Sequence, residues 1–144
     1  MNGGWFDMSS ALSRFIDAQG SGTYEQALGE LRAGRKQGHW IWFVFPQIAG
    51  LGRSEMSRHY AISGLDEARA YLAHPVLGPR LVEAAQALLD LPGDDAVAVL
   101  GSIDATKLRS SMTLFAAAGS EPVFGQVLDK YFAGRLDKET TRRL

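Results

Sequence analysis

The densest apolar segment of the chain reads His39-Trp40-Ile41-Trp42-Phe43-Val44-Phe45-Pro46-Gln47, and a glycine turn, Gly50-Leu51-Gly52-Arg53-Ser54, follows it. Four of these side chains are aromatic and fall within residues 40–45. Burial of one such side chain contributes roughly 1.5–3 kcal/mol, so packing in the core is the simplest interpretation of the run. The alternation of Trp40 and Trp42 with Ile41 indicates that at least one indole reaches an edge of that core, where it could also form a stacking wall.

The same segment could form a buried strand, because β-branched and aromatic residues are typical of strands. A strand needs a partner, however, and the chain shows no second strong strand pattern. We therefore predict a short buried helix or an extended linker over residues 40–45.

Helix signals recur along the rest of the chain. The predicted N-terminal caps are Thr23 with Gln26, Ser54, Ser63 with Asp66, Asp95 and Asp137. The predicted breaks are Gly20-Ser21-Gly22, Gly34, His74-Pro75, Pro92-Gly93 and Gly134, while Pro79 and Pro122 suit first helical turns. These signals predict an all-α fold: one compact domain over residues 1–144, a multihelical bundle of about seven or eight short helices.

Composition excludes several classes of function. The length of 144 residues and the 46% hydrophobic content suit one domain with one core, and the net charge of −1 argues against nucleic-acid and membrane-surface binding. No cysteine is present, so disulfides and zinc–thiolate sites are excluded, and the three histidines lack metal-binding spacing. We expect a soluble cytoplasmic protein with no metal site, no cofactor, no nucleic-acid partner and no membrane association.

Charge is distributed unevenly. Between Arg32 and Arg58 the chain carries five cations and one anion, Glu55. This local excess favours a small anionic ligand or an acidic partner over a long polyanion.

The glycine turn is the first candidate site. Backbone N–H groups at a helix start can bind phosphate or carboxylate, and Arg53 and Ser54 would add side-chain donors. The pattern is neither a Walker A loop nor a dinucleotide fingerprint, because the third glycine and the βαβ context are missing. An ordinary turn with a serine cap is the simpler alternative.

Lys107 is the second candidate. On a helical wheel Ser111 lies about 40° from Lys107, inside the arc that also holds Leu114 and Phe115. A lysine in an apolar arc must extend to solvent, pair with a carboxylate or face a ligand. A structural ion pair with Asp104 is the alternative to a ligand contact.

The chain resembles the bacterial family known as domain of unknown function 1810. Some members of that family carry a calpastatin-like label. The motifs that carry the resemblance include Tyr24-Glu25-Gln26-Ala27-Leu28, His39-Trp40-Ile41-Trp42-Phe43, Gly50-Leu51-Gly52-Arg53-Ser54, Tyr71-Leu72-Ala73-His74-Pro75 and Lys107-Leu108-Arg109-Ser110-Ser111-Met112. The resemblance implies a compact, mainly helical single domain and no established activity. A calpain inhibitor should look disordered, whereas this chain looks globular. The polar motif positions carried over from the family include Gln19, Lys36, His39, Gln47, Ser54, His74, Lys107, Ser110 and Ser111.

The leading hypothesis is a small-molecule or nucleotide-type binding domain for an anionic ligand. Its candidate ligand-binding residues are Lys36, His39, Trp42, Gln47, Arg53, Ser54, Lys107 and Ser111. One alternative is an enzyme acting on a nucleotide-like or ADP-ribose-like substrate, with His39 as acid–base. Another is a protein-interaction module that presents the aromatic segment to a partner. The sequence assigns no catalytic residue, protein partner or oligomeric state.

Overall fold

The computed structural model describes the backbone of residues 3–144 and the side chains of residues 10–144. Within these residues the chain forms ten helices: α1 Gly3–Gln19, α2 Thr23–Ala33, α3 Ile41–Val44, α4 Glu55–His59, α5 Leu65–Ala73, α6 Leu77–Asp90, α7 Ala96–Leu100, α8 Ser102–Ala118, α9 Pro122–Phe132 and α10 Lys138–Arg142. The all-α prediction is confirmed, but the predicted number of helices was too low. Four of the helices have only four or five residues, too short to show a helical period in the sequence.

Helix α8 lies at the centre of the fold, where it packs against α3, α5, α7, α9 and α10. Residues 110–115 of this helix are all buried, which is typical of a helix segment enclosed by others. Phe115 anchors this core: its ring centroid is 5.3 Å from that of Tyr71 and 6.0 Å from that of Phe124. The position of α8 fixes where Lys107 and Ser111 stand.

The aromatic segment forms α3 and its flanks. Trp40, Phe43 and Phe45 are buried and Trp42 is half-buried, so the prediction of core packing with one indole at an edge is confirmed. The segment is helical rather than a strand. An isolated parallel bridge joins Ile48, just beyond it, to Ile62.

Three of the predicted helix caps are present. The side chains of Ser54, Asp95 and Asp137 each accept a hydrogen bond from a backbone N–H in the first turn of α4, α7 and α10. Helix α4 ends at His59, and the backbone N–H of Ile62 donates to the carbonyl of Gln47 at 2.8 Å.

The predicted capping box of Thr23 and Gln26 is wrong. Gly22 occupies the cap position with φ 85°, so Thr23 is already the first residue of α2. The left-handed turn at Gly22 shifts the helix start by one residue. The Gln26 side chain donates to Glu30 at 3.1 Å rather than to the helix start.

The cap predicted at Ser63 with Asp66 is also wrong. Gly64 precedes α5 and makes no side-chain cap. The backbone N–H of Ser63 donates to Glu67, whose carboxylate is already held by Arg14 at 3.2 Å. The backbone N–H of Ser63 is therefore bound by the Glu67–Arg14 ion pair, and the expected cap by Ser63 and Asp66 does not form.

The break between α5 and α6 lies at His74-Pro75, as predicted. The ring nitrogen Nδ1 of His74 accepts the backbone N–H groups of Val76 at 3.1 Å and Leu77 at 3.3 Å, and so caps α6. His74 is thus used to start a helix. None of the described helices has the length and apolar character needed to cross a membrane.

Candidate functional site

Glu30 organises the loop that leads into α3. Its Oε1 atom accepts the backbone N–H groups of Gln37 at 2.7 Å and Gly38 at 2.8 Å, and the indole N–H of Trp40 at 2.9 Å. Burial raises the pKa of Glu30, but these N–H donors, with Gln26, outweigh that effect and lower the pKa from 4.5 to about 2. The carboxylate therefore stays charged and holds the loop in place. The sequence analysis did not identify this residue.

Lys36 joins the same loop to α8. Its Nζ lies 2.7 Å from Oδ2 of Asp104 and 5.0 Å from the ring centroid of Trp40, and it also donates to the carbonyl of Gly38. Its side chain is only 8% exposed. The backbone N–H of Lys36 donates to the carbonyl of Val99 at 2.8 Å. The ammonium of Lys36 is therefore already bound by groups of the protein itself.

Lys107 occupies a looser environment. Its Nζ lies 3.9 Å from Oδ1 of Asp104 and 4.8 Å from the ring centroid of Trp42, and its side chain is 20% exposed. The ion pair expected between Lys107 and Asp104 is present, and an aromatic contact accompanies it. Asp104 thus lies between Lys36 and Lys107. Lys36 is distant from Asp104 in the sequence, so no local pattern predicted this arrangement.

Two buried donors accompany Lys107. Within the described side chains, Nε1 of Trp42 and Oγ of Ser111 are buried and have no hydrogen-bond partner in the protein. The neighbouring hydroxyls of α8 behave differently, because Ser110 and Thr113 each donate to the carbonyl four residues before them. A buried donor without an acceptor costs about 1–3 kcal/mol. Neither atom is open to solvent, so a ligand acceptor reaches these donors only when neighbouring side chains move aside. We call Lys36, Trp42, Asp104, Lys107 and Ser111 the lysine–tryptophan cluster.

The other predicted residues lie outside this cluster. His39 and Arg53 are exposed, Gln47 is half-buried, and the hydroxyl of Ser54 accepts the backbone N–H of Ser57 at 3.1 Å. Among the described side chains, no hydrogen bond or ion pair joins residues 50–54 to Lys36, Trp42 or Lys107. Asp104 and the Lys107–Trp42 contact therefore link three of the eight candidates, Lys36, Trp42 and Lys107. Ser111 lies one turn further along α8. In the described part of the chain, residues 50–54 make no hydrogen bond or ion pair to these three side chains.

The C-terminal segment packs against the glycine turn. Nη2 of Arg143 lies 3.4 Å from the carbonyl oxygen of Gly50, and a Cβ atom at Gly50 would come within 2.8 Å of the Arg143 side chain. Gly50 also has φ 99°, a left-handed conformation that favours glycine. These contacts explain the presence of glycine at position 50 without a bound anion.

Two further polar positions of the family motifs have structural roles. Gln19 is buried in the core, where its amide donates to the carbonyl of Phe43 at 2.7 Å and to the Tyr71 hydroxyl at 3.2 Å. Ser110 lies 3.1 Å from a carboxylate oxygen of Asp137. These side chains stabilise the packing of the helices around α8.

Comparisons with known proteins agree with this architecture. Residues 9–144 match the family model described as protein of unknown function (DUF1810). The chain is also similar to a solved structure described as the crystal structure of the conserved hypothetical protein Rv1873 from Mycobacterium tuberculosis, with 47% identity and a TM-score of 0.90 over 92% of this chain and 95% of that chain. The comparison with curated proteins finds no match. Because the family model spans nearly the whole chain and the motifs fall inside it, the chain belongs to the DUF1810 family of proteins of unknown function.

Proposed function

We propose that this protein binds a small anionic molecule, of nucleotide type or similar, at the lysine–tryptophan cluster. The observation that carries the proposal is the position of Lys107, whose ammonium lies 4.8 Å from the ring centroid of the half-buried Trp42. This contact places the ammonium over one face of the indole, so an anionic group that binds Lys107 lies next to an aromatic ring.

The Lys107 ammonium makes no short hydrogen bond to Asp104. Charge-assisted N–H···O bonds are usually about 2.7–2.9 Å long, as the one between Lys36 and Asp104 is. The 3.9 Å separation of Lys107 from Asp104 is longer than that. An incoming oxyanion can therefore form short hydrogen bonds to Lys107 without first displacing one, and Lys36 keeps Asp104 in place.

Partial burial strengthens such an interaction. The Coulomb attraction between two charges grows as the effective dielectric constant falls below that of water. Lys107 is four-fifths covered and Trp42 half-buried, so a bound anion would sit in a partly desolvated environment. Trp42 is also the one indole of residues 40–45 that reaches the surface, since Trp40 is buried with its N–H on Glu30. The proposal includes a cytoplasmic location in a bacterium, where nucleotides and other small anions are abundant substrates and ligands.

A thermal-shift screen with nucleotides, ADP-ribose and sugar phosphates tests the proposal. A ligand at one hundred times its Kd stabilises the folded state by about 2.7 kcal/mol, which raises the Tm by several degrees. We expect at least one such ligand for the wild-type protein and the loss of its effect in Lys107→Ala.

Arg53→Ala is the matched control, because Arg53 is an exposed cation with no bond to the cluster. It should leave the shift unchanged, and a loss in this variant would extend the site to the glycine turn. A ligand whose affinity is the same in wild type and Lys107→Ala would show that the cluster is not its site.

A further inference from the structure

We infer that the group bound at the lysine–tryptophan cluster is a singly charged oxyanion, a carboxylate or a phosphodiester, attached to an apolar body. This inference rests on the proposed function and specifies its ligand class. It follows from the kinds of donor in the cluster, from the local charge and from the exposure along one face of α8.

The available donors match a group that only accepts hydrogen bonds. Trp42 Nε1 is a donor without acceptor capacity, and Lys107 Nζ is likewise a donor only. The hydroxyl of Ser111, one helical turn from Lys107, adds a third polar group that has no partner in the described part of the protein. Because α3 packs on α8, these groups belong to one neighbourhood. Carboxylate and phosphodiester oxygens are suitable acceptors for all three kinds of donor.

The local charge favours a monoanion. Two lysines and one aspartate leave the cluster with a net charge of +1 at most, and Asp104 lies within 3.9 Å of both lysine nitrogens. A phosphate monoester carries about −1.5 to −2 at neutral pH, so it would exceed this charge and be repelled by Asp104 more strongly than a monoanion. A carboxylate or a phosphodiester, with one negative charge, balances it.

Exposure falls steeply along the face of α8 that carries these residues. Ile103, Lys107 and Ser111 are spaced four residues apart and therefore lie along one side of the helix. Ile103 is 72% exposed, the Lys107 side chain is 20% exposed and Ser111 is fully buried. An oriented ligand places its charged end towards Lys107 and Ser111 and its apolar body over Ile103. Trp42, half-buried beside Lys107, adds a second apolar surface for that body.

Nitrogen-15 NMR of the tryptophan indoles provides the test. The chain has three tryptophans, so the indole region is simple, and Trp42→Phe assigns the relevant signal. We would titrate benzoate and diphenyl phosphate as monoanions, phenyl phosphate as a dianion, and benzamide as a neutral control. The Trp42 indole signal should move with both monoanions or with one of them, which distinguishes a carboxylate from a phosphodiester source. The Trp40 signal, with its N–H held by Glu30, should stay in place.

Two serine variants test whether Ser111 contributes to binding. Ser111→Ala should weaken monoanion binding about tenfold while its amide spectrum stays dispersed, which shows that it folds. Ser120→Ala removes an exposed hydroxyl beyond the end of α8 and should bind like wild type. Phenyl phosphate should bind at least tenfold more weakly than the better monoanion.

Three results would overturn the inference, and they differ in whether the proposed anion-binding function survives. Tighter binding of phenyl phosphate than of either monoanion, with loss in Lys107→Ala, rejects the monoanion and keeps the anion-binding function. A Trp42 signal that no anion of either charge moves rejects both. Equal monoanion affinity in Ser111→Ala and wild type overturns the three-donor site and keeps the anion-binding function.

Discussion

Lys36 and Asp104 form a short ion pair, with 2.7 Å between Nζ and Oδ2, that ties the loop after α2 to the first turn of α8. Glu30 holds that loop from the other end through the backbone of Gln37 and Gly38. The candidate site is therefore built on a rigid junction rather than on a free loop. Substitutions at the junction should be costly for the fold, which gives the first prediction.

Asp104→Asn should lower the free energy of unfolding by about 3 kcal/mol, because it leaves the ammonium of Lys36 without its countercharge in a largely buried position. Urea denaturation measures the change. Asp66→Asn is the control, since the ion pair of Asp66 with Arg69 at 3.8 Å is exposed and should contribute less than about 1 kcal/mol. Equal losses in the two variants would contradict the structural role of Asp104.

Gly78→Ala should be strongly destabilising, because a Cβ atom on Gly78 would lie 2.1 Å from the carbonyl oxygen of Leu72 at the end of α5. That oxygen belongs to the backbone and cannot move aside like a flexible side chain, so we expect a loss of about 3 kcal/mol or more. Gly125→Ala provides the opposite case. Gly125 also lies inside a helix but has open space at its Cβ position, so alanine there should stabilise the protein by about 0.5–1 kcal/mol. Thermal and urea unfolding of the two variants should shift in opposite directions.

Gln19→Leu should destabilise the protein although leucine is apolar and of similar size. The substitution leaves the carbonyl of Phe43 and the hydroxyl of Tyr71 without the amide that binds them. Burial raises the pKa of Tyr71, and the bond from Gln19 opposes that rise, so the hydroxyl depends on this partner. We expect a loss of about 2–3 kcal/mol in urea denaturation. Gln37→Leu, an exposed substitution, should stay within about 0.5 kcal/mol of wild type.

Stability at acidic pH should depend on Glu30. The pKa of its carboxyl is lowered from 4.5 to about 2 in the folded protein, so the unfolded chain takes up the proton first as the pH falls. The contribution of Glu30 to stability is therefore fully present above about pH 4.5 and is lost as the pH falls towards 2. Urea denaturation at several pH values should show a shallower decline for Glu30→Gln than for wild type over this range.

Glu55→Gln is the control for that series, because Glu55 is exposed. Its pH dependence should follow that of wild type. An unchanged slope in Glu30→Gln would mean that the loop does not depend on the charged carboxylate.

Local signals in the sequence predicted much of the helical architecture. Asp95 and Asp137 cap helices, and Pro75 separates two of them, because caps and proline act on neighbouring residues alone. The error at Thr23 has the same local character, since a left-handed Gly22 moved the helix start by one residue.

The site was less predictable because its contacts join distant parts of the chain. The helical wheel identified Lys107 and Ser111 as inward-facing, and the alternation around Ile41 indicated that an indole reaches an edge. No local pattern could pair Lys36 with Asp104, however, or assign three N–H donors to Glu30. The glycine turn was grouped with Lys107 because it follows Trp42 in the sequence, but among the described side chains no hydrogen bond or ion pair joins residues 50–54 to Lys107.

The central position of α8 has a consequence for hydrogen exchange and for the kinetics of binding. A helix enclosed on several sides should expose its amides only when the whole domain opens, so the amides around Lys107 and Ser111 belong to the slowest-exchanging class. Groups mounted on such a helix lose little conformational freedom when a ligand arrives. Binding at Lys107, the partly exposed group of the cluster, should therefore proceed by docking onto a preformed surface, and the association rate should show little dependence on solvent viscosity beyond that of diffusion itself.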